Sequence, residues 1–236
     1  MVTPFTNSIN SRKFLYYTIV SLSNKRRKLR EESNLEYTTI LDIIGTVAFA
    51  LSGYILASKA KFDILGVIVI SLITAFGGGV VRDLLVDKTP FIFKETYPIT
   101  VAMITIFIAY ILKLHHNIKL SRNYIFRVSD SIGLSLFAYT GAITALSAEF
   151  NFSGILFLSF LTAVGGGIIR DMMMNKVPFV LTNDFYGTVA LLIGLSVWIL
   201  SLFDAINTYS SLIILIIGTI LRLVAIKKRW KLPKLF

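Results

Sequence analysis

The sequence predicts an all-α integral membrane protein with seven transmembrane helices, arranged as two inverted three-helix repeats plus a seventh helix. Three observations carry that prediction. Apolar residues make up 55% of the 236-residue chain and charged residues only 16%. A soluble domain carries about 25% charged residues to cover its surface. Seven apolar stretches approach the roughly 20 residues a helix needs to cross a hydrocarbon core. The third observation is an internal duplication.

The stretches run from Thr38 to Ala57, Ile64 to Val86, Tyr97 to Leu114, Val128 to Ala148, Phe152 to Met174, Phe185 to Phe203, and Ser210 to Ile226. Their continuity excludes an outer-membrane barrel, whose strands alternate apolar and polar residues. A soluble helical bundle would need polar stripes, which these stretches lack. The connections are short, as between antiparallel neighbours in a bundle. The chain has no cysteine, which excludes disulfides, thiolate metal sites and cysteine nucleophiles.

A constant offset of 88 residues aligns Asp42-Ile-Ile-Gly45 with Asp130-Ser-Ile-Gly133. It also aligns Thr74-Ala-Phe-Gly77-Gly78-Gly79-Val-Val-Arg82-Asp83 with Thr162-Ala-Val-Gly165-Gly166-Gly167-Ile-Ile-Arg170-Asp171, and Pro90-Phe91 with Pro178-Phe179. From Asp42 to Phe91, 22 of 50 positions are identical without a gap. Glycine, arginine, aspartate and proline all coincide, so shared hydrophobicity does not account for the match. Each copy holds three spans, and three is odd. The second copy therefore enters the bilayer from the opposite side, which relates the copies by a pseudo-two-fold axis in the membrane plane. The expected organisation is a basic extension over 1–36, repeat 1 over 37–117, repeat 2 over 118–206, a seventh span over 207–226, and a basic tail over 227–236.

The triplets Gly77-Gly78-Gly79 and Gly165-Gly166-Gly167 fall inside the second span of each repeat. A glycine costs a helix about 1 kcal/mol relative to alanine, so three together predict a weak point. Opening there would free carbonyls that can take a partly dehydrated cation, with the hydroxyls of Thr74 and Thr162 nearby. Close helix packing is the competing reading, and three consecutive glycines favour a kink lining a pathway. The triplet is not a dinucleotide fingerprint, because no strand precedes it and the third spaced glycine is absent.

Arg82-Asp83 and Arg170-Asp171 follow one turn later. Charges inside a membrane mark function by default, here gating or structural bracing, though arginine near a helix end can also snorkel. Adjacent helical residues point about 100° apart, so the two members of a pair need not bridge each other. Asp42 and Asp130 open the first span of each repeat. They read as helix-start acids first and as pore-mouth cation attractors second. Arg222 is expected to snorkel, and the consecutive His115 and His116 read as surface residues rather than metal ligands. No metal site or cofactor is expected.

The paired T-A-x-G-G-G-x-x-R-D segments, each followed by Pro-Phe, resemble the duplicated domain of the prokaryotic TRIC (trimeric intracellular cation) channel family, also labelled a glycine transporter. The resemblance spans approximately Tyr37 to Ile226. It implies a homotrimer with a monovalent-cation pore through each protomer, K⁺ or Na⁺ as the permeant ion, and kinks at the two glycine triplets. The basic N-terminal extension departs from the family's compact pattern. The alternative function is a small-amino-acid (glycine) carrier of the same fold. An enzyme is not expected, since HExxH, GxSxG and convergent His or Cys sets are all missing.

The net charge of +11 would suit nucleic acid, but its placement argues otherwise. The first 36 residues carry +4, the last ten +5, and the body between only +2. Basic tails of this kind meet anionic lipid headgroups, so membrane lipids are the expected partner and nucleic acid is not. Lysines and arginines number 12 on the C-terminal side against 9 on the other, which favours a cytoplasmic C-terminus in a multi-pass cell membrane protein.

Overall fold

The computed structural model describes residues 37–114, 119–182 and 185–230. The extension over 1–36, His115 and His116, and the last six residues of the basic tail lie outside them. The chain divides into Met1–Ile40, of which only the opening turn of the first helix is described, and Leu41–Phe236. Apart from that opening turn, all that follows concerns the second unit.

Every described element is helical or a connection between helices. The helices are α1 (Tyr37–Lys59), α2 (Ile64–Leu85), α3 (Phe91–Lys94), α4 (Tyr97–Ile111), α5 (Lys119–Ser147), α6 (Phe152–Met173), α7 (Phe179–Thr182), α8 (Tyr186–Leu202) and α9 (Thr208–Lys228). The seven longer ones overlap the seven predicted spans, α5 starting at Lys119 rather than Val128. By length and composition α1, α2, α6 and α9 suffice to cross a membrane, while α4 and α8 are shorter apolar helices. The short helices α3 and α7 were not foreseen. The protein is a multi-pass membrane protein.

The duplication is visible in the second helices and in the short helices that follow them. Adding 88 to the bounds of α2 and α3 gives those of α6 and α7. The same local chemistry starts both second helices. Asp63 accepts the Gly66 N–H at 2.7 Å, and Asn151 accepts the Gly154 N–H at 2.9 Å. An N-cap side chain satisfies a backbone donor that the first helical turn leaves free. Both helices also end alike. Asp87 and Asn175 take left-handed φ of 55° and 53°, and the Lys88 and Lys176 N–H groups close on the Asp83 and Asp171 carbonyls at 2.9 Å.

Phe49 and Phe137 are equivalent residues, and they stack on each other with centroids 5.2 Å apart. A residue can meet its own equivalent only on a two-fold axis. Around it, Gly45 faces the Phe137 ring while Gly133 faces the Phe49 ring. The axis of the inverted repeats therefore passes between α1 and α5, and α2 and α6 cross each other beside it.

Candidate functional site

The sequence reading favoured a kink at the glycine triplets, with close helix packing as the competing reading, and it is the packing that the structure displays. The helix runs uninterrupted through both triplets, and no glycine has a positive φ. The triplets are instead where α2 and α6 touch backbone to backbone. A methyl on Gly78 would lie 2.0 Å from the Thr162 carbonyl oxygen, and one on Gly166 would lie 2.3 Å from that of Thr74. Gly77 abuts Gly166, and Gly165 abuts Gly78. Three consecutive glycines point three ways, and here each way has a neighbour. Gly79 faces the Phe91 ring, and Gly167 faces Arg170 and Tyr186. The helical cost of glycine is offset by an approach no other residue allows.

Thr74 and Thr162 are wholly buried. Each hydroxyl donates at 2.6 Å to the carbonyl four residues earlier, of Ile70 and Leu158. They lie against Gly53 and Gly141, where a methyl would stand 2.8 and 2.7 Å from the hydroxyl oxygens. A glycine of each first helix thus seats the threonine of the second.

The buried charged residues among those described are Asp42, Arg82, Asp83, Asp130, Arg170, Asp171 and Arg222. Six of them form two equivalent groups. In repeat 1, Arg82 Nε donates to Asp83 Oδ1 at 2.9 Å. Its Nη1 donates to both Asp42 oxygens, at 3.0 and 3.1 Å, and to Thr140 Oγ1 of the other repeat at 3.2 Å. Asp83 Oδ2 accepts the Phe91 N–H at 2.9 Å, fixing the start of α3. In repeat 2, Arg170 Nε donates to Asp171 Oδ1 at 2.8 Å. Its Nη1 donates to Ser52 Oγ at 3.3 Å and Asp130 Oδ1 at 3.4 Å. Ser52 donates to the same Asp130 oxygen at 3.2 Å, and Asp171 Oδ2 accepts the Phe179 N–H at 2.8 Å.

Ser52 and Thr140 are themselves 88 apart, so each repeat lends a hydroxyl to the other's arginine. This exchange is the chemical link across the axis. A buried charge persists only when paired and hydrogen-bonded, and each arginine answers that demand with carboxylates from the first and second helices of its own repeat.

Two open readings narrow and two expectations change. Arg82 and Arg170 do not snorkel, being 5% and 0% exposed. Each bridges its adjacent aspartate after all, because a long guanidinium arm can curl back over one residue. Asp42 and Asp130 are not helix-start acids, since α1 and α5 begin earlier, at Tyr37 and Lys119. Arg222 is buried on α9, with its guanidinium 4.6 Å from the Tyr186 ring centroid. Sequence reasoning missed Ser52, Thr140 and Tyr186. The first two were findable as matched hydroxyls at one repeat offset, whereas Tyr186 aligns with Pro98 and carries no repeat signal. Among the described residues no set of three His, Asp or Glu side chains is placed to hold a metal.

Comparison with known proteins sets this geometry in context. A family model described as Glycine transporter matches residues 39–113 and 127–201, one match per repeat. The inner membrane protein YadS of Escherichia coli K12, of the group UPF0126, is 33% identical over 195 residues, covering 82% of this chain and 93% of YadS. The UPF0126 membrane protein YvgT of Bacillus subtilis is 34% identical over 198 residues, covering 82% of this chain and 94% of its own. Among solved structures, one described as "Crystal structure of a prokaryotic TRIC channel in 0.5 M KCl" superposes with a TM-score of 0.76 at 32% identity, covering 84% of this chain and 100% of that one. A second, described as "Structural basis for conductance through TRIC cation channels", gives 0.72 at 36%, covering 83% and 96%.

Proposed function

The chain belongs to the family described as Glycine transporter, whose fold it shares with prokaryotic TRIC channels, and from that premise we propose that it is a cation channel conducting K⁺ and, less selectively, Na⁺. The path runs through each protomer between the inverted repeats, and the protomers assemble as a homotrimer among membrane lipids, with the C-terminus cytoplasmic. The structures it resembles are described as channels, one of them as a trimeric intracellular cation channel orthologue from Rhodobacter sphaeroides.

The observation that supports this reading is the reciprocal crossing of α2 and α6. Two equivalent carbonyls, of Thr74 and Thr162, press against Gly166 and Gly78. If the two helices part, those carbonyls become uncovered at one level, and such oxygens can replace part of a cation's hydration shell. The arginine clusters brace both sides of the crossing. Arg82 and Arg170 hold the first helix of their own repeat and a hydroxyl of the other, so opening the crossing strains the Arg82–Thr140 and Arg170–Ser52 bonds. In this role Arg82, Asp83, Arg170 and Asp171 are gating braces. Asp42 and Asp130 complete the braces rather than standing free at a mouth.

The second reading, a carrier for a small amino acid, is favoured only by the family's description. Purified protein in planar bilayers separates the two. Unitary K⁺ currents are expected. Saturable glycine counterflow without unitary currents would replace the channel with a carrier, and liposomes silent to K⁺, Na⁺ and glycine alike would remove both.

A further inference from the structure

The third helices pack differently against the second. In repeat 2, Gly194 of α8 lies against Ser159 of α6, where a methyl on the glycine would stand 2.9 Å from the serine Cβ. The offset of 88 puts Ile106 of α4 at that position in repeat 1. Ile106 is buried with Tyr54, Ile55 and Ala109. Glycine lets two helices close together, and a branched side chain in its place holds them apart.

Beside Ile106 a groove of about 470 Å³ stays open between α1, α2 and α4, a size usual for ligand sites of about 300–1,000 Å³. Its wall is apolar, from residues such as Val67, Met103 and Phe107, and only Tyr54, Ser58 and Tyr110 bring hydroxyls. Repeat 2 fills the corresponding space. Phe152, the counterpart of Ile64, packs on Trp198, the counterpart of Tyr110, with centroids 4.5 Å apart.

Charge separates the same two places. The groove ends where α1 and α4 end and α2 begins. Three exposed lysines stand there: Lys59 next to Ser58, Lys61 next to Phe62, and Lys113 one turn after Tyr110. The acid beside them, Asp63, already accepts the Gly66 N–H. In repeat 2 the offset gives Ser147, Glu149 and Ser201, with Asp204 just beyond. The open groove has a basic rim, and its filled counterpart has a neutral and acidic one.

An apolar groove that ends under three lysines matches a lipid, with its chain along the groove and an anionic headgroup at the rim. A second copy of the chain docked there would bring like-charged rims together. We infer that this groove holds one acyl chain of an anionic phospholipid, whose headgroup phosphate sits among Lys59, Lys61 and Lys113. The lipid fills in repeat 1 what Phe152 and Trp198 fill in repeat 2. Because the repeats are inverted, it is bound from one leaflet only.

The test uses the full chain in a neutral detergent, with phosphatidylglycerol or phosphatidylcholine of the same acyl chains added and bound lipid read by native mass spectrometry. The wild type should retain one phosphatidylglycerol per chain in preference to phosphatidylcholine. Replacing one rim lysine by glutamine should weaken that binding about fivefold, which corresponds to about 1 kcal/mol per basic residue at an anionic membrane surface. Lys59→Gln, Lys61→Gln and Lys113→Gln together should abolish the preference, while Lys88→Gln, Lys94→Gln and Lys176→Gln together should keep it. Met103→Trp, which fills the groove from an exposed position, should lose the retained lipid with the lysines intact. Equal retention of the two lipids by the wild type, or equal loss in the two lysine triples, would overturn the inference. A wild type that retains no lipid, with an oligomer broken by Met103→Trp, would give the groove to a second copy instead. None of these readouts measures flux, so they stand apart from the channel assignment.

Discussion

From Asp42 to Phe91 the two repeats share 22 of 50 residues with their counterparts, yet their surroundings diverge where each meets its third helix. In repeat 1, Phe91 closes over Gly79, and an apolar groove lined by Tyr54, Val67, Met103, Phe107 and Tyr110 stays open between α1, α2 and α4. In repeat 2, Phe152 packs against Trp198 with centroids 4.5 Å apart. There α9 also lays Arg222 over Tyr186 and seats Gly218 against Ile193. The first and second helices therefore carry the symmetric part of the molecule, and the third and seventh carry its asymmetry. A duplicated membrane protein can keep its crossing point fixed and still make its two halves chemically different.

The glycine triplets offer the largest test of that division. Gly78→Ala puts a methyl 2.0 Å from a backbone oxygen, which cannot swing away as a side chain can. Overpacking of this kind costs about 1–3 kcal/mol and sometimes more, and because the backbone oxygen cannot move aside, a loss well beyond that range and above those of the braces is expected. Gly79→Ala meets the edge of the Phe91 ring, which can shift, so its loss should be smaller. Gly167→Ala should be tolerated. Thermal melting of the three variants should fall in that order. If Gly78→Ala melts like the wild type, the crossing is not the close contact described here.

Next in size are the braces. Removing one partner of a buried ion group costs about 3–5 kcal/mol, because the other charge is left uncompensated. Arg82→Gln strands Asp42 and Asp83 together, whereas Arg170→Gln leaves Asp130 and Asp171 with Arg222 still buried nearby. The repeat 1 variant should lose more, by denaturation in detergent. Equal losses would mean that Arg222 does not soften the second cluster.

How much of this was legible beforehand follows from what a linear reading can see. Apolar length and the offset of 88 disclosed the spans, their inversion and the start of the second helices, because those properties reside in local runs of residues. Propensity treats each helix as isolated and so showed the triplets only as weak points, and only the partner helix reveals that the glycines are contact surfaces. Asp42 and Asp130 were placed at helix starts because the apolar run stops near them, although the helix itself runs on through polar residues to Tyr37 and Lys119. The Arg–Asp pairs were visible as motifs, but their third and fourth partners depend on which helices the fold brings together.

The exchanged hydroxyls come third, and their effects should be unequal. Ser52→Ala removes two hydrogen bonds to charged groups, the one from Arg170 and the one to Asp130. Thr140→Val removes one bond to a charged group, that from Arg82, which keeps both carboxylates, and a long 3.5 Å bond to the neutral Phe137 carbonyl. At roughly 1.5–3 kcal/mol for a bond to a charged group, Ser52→Ala should be the costlier change. A double-mutant cycle of Ser52→Ala with Arg170→Gln should give a coupling well above that of Ser52→Ala with Arg82→Gln.

The smallest effect is expected on the axis itself, where Phe49 stacks on Phe137. An aromatic pair contributes about 0.5–1.5 kcal/mol beyond the area it buries. Either Phe→Leu change abolishes the same stack, so the two should lose nearly the same amount. The residual difference has a predicted sign. The Phe49 ring comes to 2.3 Å of the place where Gly133 would carry a methyl, while Phe137 stays 3.1 Å from that of Gly45. The tighter seat makes Phe49→Leu the slightly worse change. A reversed order in melting temperature would mean that asymmetry from the third and seventh helices reaches the axis, and the division between a symmetric crossing and an asymmetric surround would then fail at its centre.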